Sequence, residues 1–167
     1  MKPFFLILAI LFFLLMQLSV AEWLSLGPVA PDFLILITVF FALYRGAIQG
    51  SIFGFVVGFL QDLANPGFLG LNALTKSVLG YAVGKIGTKT FPENVPFLVV
   101  LFSATAFGHD VVYLVFFSWP DVASAFLLMF SSALPSAICT GVFGVIVHRL
   151  LTTLGAKVVS AIGKEGQ

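Results

Sequence analysis

The residues with the clearest potential for chemistry are two charged side chains, Lys76 and Asp110, that lie inside long apolar stretches. A charge near the centre of a bilayer costs roughly 2.5–3.5 kcal/mol on insertion scales, so it usually faces a helix bundle and has a partner there. Each lies seven residues from the predicted outer end of its stretch, which places both about 10 Å deep. We therefore expect Lys76 to pair with Asp110, with Asp62 and Asn72 as alternative or additional partners.

This polar cluster of Asp62, Asn72, Lys76 and Asp110 has two interpretations. The structural one is an ion pair that fixes the register of neighbouring helices, and the functional one is a proton or ion relay. We favour the ion pair because a relay needs several ionisable groups along a path, and the sequence places only one such layer. His109 either joins the cluster or packs as a neutral imidazole. Because adjacent side chains point about 100° apart on a helix, we expect the second.

Catalytic and metal-binding motifs are absent from the sequence. Gly-x-Ser-x-Gly, His-Glu-x-x-His, Cys-x-x-Cys and phosphate-binding loops do not occur. The two histidines and Cys139 are far apart in sequence, so we predict no metal site and no cofactor. Cys139 is expected to act as a small buried hydrophobe. The net charge of +1 gives no indication of nucleic-acid binding. We therefore expect a protein that is not an enzyme.

The composition predicts a membrane protein. Sixty per cent of the residues are hydrophobic and 9% are charged, whereas a soluble domain carries about 25% charged residues. A soluble fold of 167 residues could not bury so much apolar surface. We predict an all-α polytopic bundle that forms a single transmembrane domain, 1–167. Its six spans lie at about 3–20, 32–44, 46–60, 69–84, 97–117 and 122–147, and a basic tail follows at 148–167.

The first apolar run has an alternative interpretation as a cleaved signal. Ser19, Val20 and Ala21 resemble a signal-peptidase site. The run is long for a signal, and the rest of the chain is also apolar. We therefore expect it to remain as the first span.

Charged residues near the ends of the spans predict the orientation of the chain. With both termini in the cytoplasm, seven basic residues lie on the cytoplasmic side and none on the outer side. Acidic residues lie on the outer side instead. This asymmetry follows the positive-inside rule, so we predict six crossings with both ends inside. The basic residues are Lys2, Arg45, Lys85, Lys89, Arg149, Lys157 and Lys164, and the acidic ones are Glu22, Asp32, Asp62 and Asp121.

Small or hydroxyl residues recur every four positions in three of the predicted spans. In lipid, helices gain little from apolar association, so close backbone packing and buried polar contacts hold a bundle together. We expect these lines to serve packing within the bundle. The alternative is that one line faces the single span of a partner protein. The lines are Gly46, Gly50, Gly54 and Gly58 in the third span, Gly80 and Gly84 in the fourth, and Ser132, Ser136, Thr140 and Gly144 in the sixth.

The turn after the third span carries a family resemblance. The glycine-rich helix ends in Gln61-Asp62, and a Gly-x-x-Gly-x-Asn turn, formed by Gly67, Gly70 and Asn72, opens the next helix. This arrangement resembles the rod shape-determining protein MreD family of bacteria. The resemblance extends over essentially the whole chain in length, in number of spans and in the scarcity of soluble loops.

The resemblance implies a non-catalytic scaffold of the bacterial inner membrane. Family members are associated with the elongation machinery that directs lateral peptidoglycan synthesis and maintains cell shape. The first implied partner is MreC, which is a single-span periplasmic protein. The wider set of implied partners comprises the actin-like MreB, the glycosyltransferase RodA and a penicillin-binding transpeptidase. The chain itself would be surrounded by membrane lipid. The family fold is thought to be similar to the substrate-binding components of energy-coupling-factor vitamin transporters. That similarity implies an alternative function, a small-molecule-binding transporter subunit whose pocket the polar cluster could line.

Overall fold

The computed structural model describes residues 10–20, 29–64, 67–87, 94–118 and 121–164. Within these ranges the chain forms helices and no β-strand. The predicted span residues 3–9 and the charged residues Lys2, Glu22 and Lys89 lie outside them. The first helix, α1, covers residues 10–20 and ends in a π-helix, Met16–Val20. The others are α2 (Phe33–Arg45), α3 (Ala47–Ala64), α4 (Leu71–Ile86), α5 (Val95–Phe117), α6 (Val122–Leu128) and α7 (Leu134–Lys164), with a second π-helix, Met129–Ala133, between α6 and α7.

The outer surface of the helices is apolar. Three helical segments of the described chain are long and apolar enough to cross a membrane, Ala47–Ala64, Val95–Phe116 and Ala123–Leu150, and the apolar α2 is shorter. Large side chains such as Ile48 and Leu127 are more than two-thirds exposed, at 73% and 71%. Lipid, which needs no polar surface, is the solvent for such a face. The protein is therefore a membrane helix bundle.

The second helix forms the centre of the bundle. Leu34, Leu36, Val39 and Ala42 on α2 are completely buried. They pack with residues of the neighbouring helices, including Phe102 of α5. A short helix of 13 residues is thus surrounded by longer ones. Because its neighbours enclose it, side chains at its start lie inside the protein, which is important for Asp32.

Backbone signals at its two ends explain the limits of α2. At the start, the Asp32 carboxylate accepts a hydrogen bond from the backbone N–H of Ile35 at 2.8 Å, which is a typical N-cap. At the end, Gly46 adopts a φ of +86°. Residues that have a Cβ rarely adopt this left-handed backbone conformation. Glycine at position 46 therefore permits the tight turn between α2 and α3. The next helix, α3, begins at once with Ala47.

The connection between α3 and α4 is shorter than the sequence suggests. We expect α3 to end at about residue 60, but it continues to Ala64. Gly70, with a φ of +92°, then begins α4. The extra helical turn places Asp62 within α3, with its carboxylate directed at the start of α4. The polar residues that suggest a loop therefore form hydrogen bonds between two helices.

The last span contains a π-helix that ends two residues before Pro135. Proline has no backbone N–H, and its ring clashes with the carbonyl of the residue four positions earlier in an α-helix. In the π-helix Met129–Ala133 the N–H of Leu134 instead donates to the carbonyl of Met129. At the start of α6, Asp121 caps the helix. The Ser124 hydroxyl and backbone N–H donate to its carboxylate and hold the pKa of Asp121 below its usual value.

Candidate functional site

A buried ion pair joins α4 to the start of α2. The Nζ atom of Lys76 lies 3.1 Å from Oδ2 of Asp32. The Lys76 side chain is completely buried and that of Asp32 is 15% exposed. Asp32 therefore has two tasks, because its other oxygen caps α2. An unpaired ammonium group at this depth would be costly, so the pair fixes the position of α4 against α2.

His109 of α5 lies at the centre of the polar network. Its Nε2 atom is 3.0 Å from Nζ of Lys76 and 2.9 Å from Oδ1 of Asn72. Its Nδ1 atom is 3.1 Å from Oδ1 of Asp110. The imidazole is 5% exposed. One ring thus links side chains of α4 with the carboxylate of its own neighbour on α5.

The two contacts of His109 Nε2 require opposite proton positions. Asn72 donates its Nδ2 to Asp62 at 2.8 Å, so the atom that faces His109 is its acceptor, Oδ1. A Lys76 ammonium can only donate and needs Nε2 without a proton, whereas Asn72 Oδ1 needs Nε2 with one. One tautomer of His109 therefore cannot form both hydrogen bonds, and Nε2 either accepts from Lys76 or donates to Asn72.

Asp62 holds the first turn of α4. Its carboxylate accepts from the backbone N–H groups of Gly70, Asn72 and Ala73 at 3.0, 3.3 and 3.1 Å. It also accepts from the Asn72 side chain, and it is completely buried. The first N–H groups of a helix have no partner within the helix and favour a negative charge. The charge of Asp62 is therefore stabilised by the helix start, and no basic side chain in the described part of the chain bonds to it.

The glycine line of α3 packs directly on α4. A Cβ at Gly54 would overlap the backbone carbonyl of Lys76, and one at Gly58 would overlap that of Asn72. In the other direction, a Cβ at Gly80 would overlap the carbonyl of Gly50. Backbone atoms cannot move aside as side chains can, so these positions require glycine. The close contact also fixes the positions of Asn72 and Lys76 along α3, because their own carbonyl groups pack against Gly58 and Gly54.

The line of small residues in the last span contacts the loop before α2. Thr140 accepts from the backbone N–H of Asp32 at 3.0 Å, and Ser136 accepts from that of Ala30 at 3.1 Å. At Gly144, a Cβ would press on the ring of Phe102, 2.6 Å away. Ser132 faces a cavity instead. These contacts hold the segment that places Asp32 beside Lys76.

A cavity of about 440 Å³ lies beside the network. Asp32, His109 and Asp110 form part of its wall, and Gln61 and Ser132 contribute further polar groups. Oε1 of Gln61 is buried and has no hydrogen-bond partner. Apolar side chains such as Leu114 complete the wall. The cavity therefore has a polar side, next to the ion pair, and an apolar side.

A comparison with protein-family models decides the family. The model described as rod shape-determining protein MreD matches residues 1–154 of the 167-residue chain. The chain belongs to the MreD family. Membership of MreD assigns it a role in rod-shape determination. No curated protein and no solved structure matches the chain.

The structure gives physical roles to the turn that resembles MreD. Asp62 caps α4, Asn72 connects Asp62 to His109, and Gly70 provides the left-handed conformation between the helices. Gly67 lies where a Cβ would meet the hydroxyl of Tyr113 at 3.4 Å. Gln61 faces the cavity. The turn in this MreD chain therefore connects the α3–α4 contact to the polar network.

The predicted direct pair of Lys76 and Asp110 is wrong. Lys76 contacts Asp32 and His109, and Asp110 contacts His109. His109 is a member of the network, so the expectation that it packs outside the cluster is also wrong. The predicted pair was chosen because Lys76 and Asp110 lie at the same depth along their helices. Equal depth does not determine whether two side chains point toward each other around the helix axes.

The sequence predicts Asp32 on the outer side and as a cap of the second span, but the predicted partners of Lys76 do not include it. A usable signal was present. A lysine side chain is long and can extend along a helix toward the interface. Lys76 was predicted about 10 Å below the outer boundary, and Asp32 stands at that boundary. The reach of Lys76 makes Asp32 a candidate as good as Asp110.

Proposed function

We propose that this MreD family member is a non-catalytic scaffold of the bacterial cytoplasmic membrane. It acts in cell-shape maintenance and lateral peptidoglycan synthesis by binding an MreC-type single-span protein. The observation that carries the proposal is the family match over residues 1–154. The physical support is a bundle whose helices are fixed to one another by the glycine contact and the Lys76–Asp32 pair. A rigid bundle presents constant helix faces to other spans.

The proposed orientation has six crossings with both termini in the cytoplasm. The distribution of basic residues supports it. Two exposed positions test it, Lys85 at the end of α4 and Asp121 at the start of α6. In a Cys139→Ala background, a membrane-impermeant maleimide should label Asp121→Cys on intact spheroplasts but label Lys85→Cys only after lysis. Labelling of Lys85→Cys from outside would refute this topology.

Contacts with partners are proposed on the lipid-facing sides of the helices. The glycine lines of α3 and α4 are already occupied by each other, so they leave no room for a second helix. The alternative in which one of these lines binds a partner span is therefore not part of the proposal. Association in lipid relies on close packing and polar contacts, and the exposed helix faces offer the remaining surface.

Affinity purification from native membranes tests the scaffold proposal. A tagged wild-type chain should retain an MreC-type protein, and the wider assembly implied by the resemblance contains MreB, RodA and a penicillin-binding transpeptidase. Gly108→Ala is a suitable control variant, because its new methyl group meets only the tip of Leu79 at 3.7 Å. Gly54→Leu, which disrupts the α3–α4 contact, should lose the partner. Purification of the wild-type chain without any MreC-type protein would contradict the proposal.

A further inference from the structure

The 440 Å³ cavity faces one excess negative charge. Asp32 and Asp110 both contribute to its wall. Among the described residues, Lys76 is the only lysine or arginine in an ion pair with either carboxylate, and His109 lies between Lys76 and Asp110. A doubly charged arrangement would place an N–H of His109 against the Lys76 ammonium at 3.0 Å, with both groups as donors. Two carboxylates and one positive charge leave a net charge of −1 beside the cavity.

We propose that this cavity binds a primary ammonium group, carried either by a small molecule or by a lipid headgroup. The ammonium group would lie against Asp110. This carboxylate is 28% exposed, and among the described residues it hydrogen-bonds only to His109, through Oδ1. A carboxylate at membrane depth is costly without a full counter-charge. A cation in the cavity would supply the missing charge without breaking any bond of the network.

Gln61 provides a second, independent reason for a donor ligand. Its Oε1 atom is buried without a hydrogen-bond partner, and the residue forms part of the cavity wall. Buried polar atoms in native proteins nearly always have a hydrogen-bond partner. An acceptor without one loses its hydrogen bonds to water and gains no other bond in return. A primary ammonium group has three donors. It can bond to Asp110 and also donate to Gln61, if the Gln61 side chain rotates and brings Oε1 to the cavity surface.

The helices that border the cavity contain π-helical segments in addition to regular α-helix. The described chain contains two π-helices, and both border this cavity, the first through Gln17 and the second through Ser132 and Ala133. Such segments are rare and occur frequently at functional sites. The volume of about 440 Å³ falls within the usual range of ligand pockets, about 300–1,000 Å³. It is too large for an ammonium group alone, and Leu114 and Leu128 can contact the carbon skeleton to which the group is attached.

An organic cation fits the wall better than a metal ion. Among the described residues no group of three His, Cys, Asp or Glu side chains is arranged to hold a metal. The second oxygen of the Asp110 carboxylate and one amide oxygen suit a cation with directed N–H donors. A quaternary ammonium such as that of choline has no N–H group, so its nitrogen cannot donate a hydrogen bond to Asp110 or Gln61, although free choline keeps a hydroxyl donor. The comparison of ethanolamine with choline therefore tests the specific chemistry.

The experiment uses the full-length protein in lipid nanodiscs. Binding of ethanolamine, choline and phosphoglycerol is measured by the shift in melting temperature and by titration calorimetry, in nanodiscs of phosphatidylcholine. A second set of nanodiscs contains phosphatidylethanolamine, and native mass spectrometry counts retained lipids. We expect ethanolamine or the ethanolamine lipid to bind at least about tenfold more tightly than its choline counterpart. Binding of free ethanolamine indicates a soluble ligand, and selective retention of the lipid alone indicates a headgroup.

Two variants and one control separate the outcomes. Asp110→Asn removes the excess charge and should weaken binding about tenfold. Ser132→Leu keeps the charge but fills the cavity, and it should also weaken binding. Asp121→Asn removes an exposed carboxylate that caps α6, outside the cavity, and should leave binding unchanged. Equal binding of choline, preference for phosphoglycerol, unchanged binding by Asp110→Asn, or no binding of any amine would overturn the proposal. None of these results bears on copurification of an MreC-type protein.

Discussion

The ammonium group of Lys76 lies 3.1 Å from the carboxylate of Asp32, although the two residues are 44 positions apart in the chain. The same carboxylate caps α2 through the N–H of Ile35. The start of the central helix and the position of α4 therefore depend on one side chain. Because Lys76 is buried and Asp32 is only 15% exposed, the pair gives little stability beyond its own desolvation cost, but it penalises any arrangement that separates them.

Removal of the Lys76 charge should destabilise the bundle. Lys76→Met leaves the Asp32 carboxylate buried without its partner, which costs about 3–5 kcal/mol when one member of a buried pair is lost. The double variant Lys76→Met/Asp32→Asn removes both charges and should recover part of that loss. The free energy of unfolding, measured by SDS titration in detergent micelles, gives the size of both effects.

Lys85→Met is the matched control for this series. Lys85 is exposed at the end of the same helix, where its ammonium lies 5.7 Å from the centre of the Tyr81 ring. Exposed cation–π contacts contribute about 0.5–1 kcal/mol, so the control should change stability little. Equal effects of Lys76→Met and Lys85→Met would show that the buried pair does not fix the helices.

The α3–α4 contact should not tolerate a single methyl group. Gly54→Ala forces a Cβ into the carbonyl of Lys76, and overpacking of this kind typically costs 1–3 kcal/mol. Gly108→Ala adds the same methyl group in ordinary contact with Leu79. It should be neutral or slightly stabilising, because alanine is the better helix former. Melting temperatures of the two purified variants provide the comparison, and similar values would contradict the close contact.

Asp62 should matter through its hydrogen bonds. Asp62→Ala leaves the N–H groups of Gly70, Asn72 and Ala73 without their acceptor, at about 1–3 kcal/mol for each buried donor that finds no other partner. Asp62→Asn retains one acceptor oxygen and should lose less. Hydrogen exchange at the start of α4 reports the effect locally. Unchanged protection of these amides in Asp62→Ala would exclude the capping role.

Much of the bundle could be predicted from composition and spacing. The regular four-residue spacing of Gly50, Gly54 and Gly58 predicts close backbone packing, because glycine adds no Cβ at a helix surface. The sequence does not identify the neighbour, since several spans carry similar lines. The continuation of α3 through Gln61 and Asp62 was missed. Polar residues suggest a turn until their hydrogen bonds to the next helix are known.

Four members of the polar site could be predicted from the sequence, but Asp32, His109 and the connections could not. Asp62, Asn72, Lys76 and Asp110 all join one network, and His109 is the residue that connects them. Depth along a helix can be counted from sequence, but the direction of a side chain around the helix axis depends on packing. The adjacent positions of His109 and Asp110 suggested separation, whereas the imidazole bonds to its neighbour through Nδ1.

Cell shape is the most direct measurement of the central claim, that this membrane bundle serves rod-shape determination. Deletion of the gene from its rod-shaped host should give rounded cells. A plasmid copy of the wild-type chain or of Gly108→Ala should restore rods, and Gly54→Leu should not, with membrane levels of each chain measured in parallel. Cells that remain normal rods after the deletion would contradict the account.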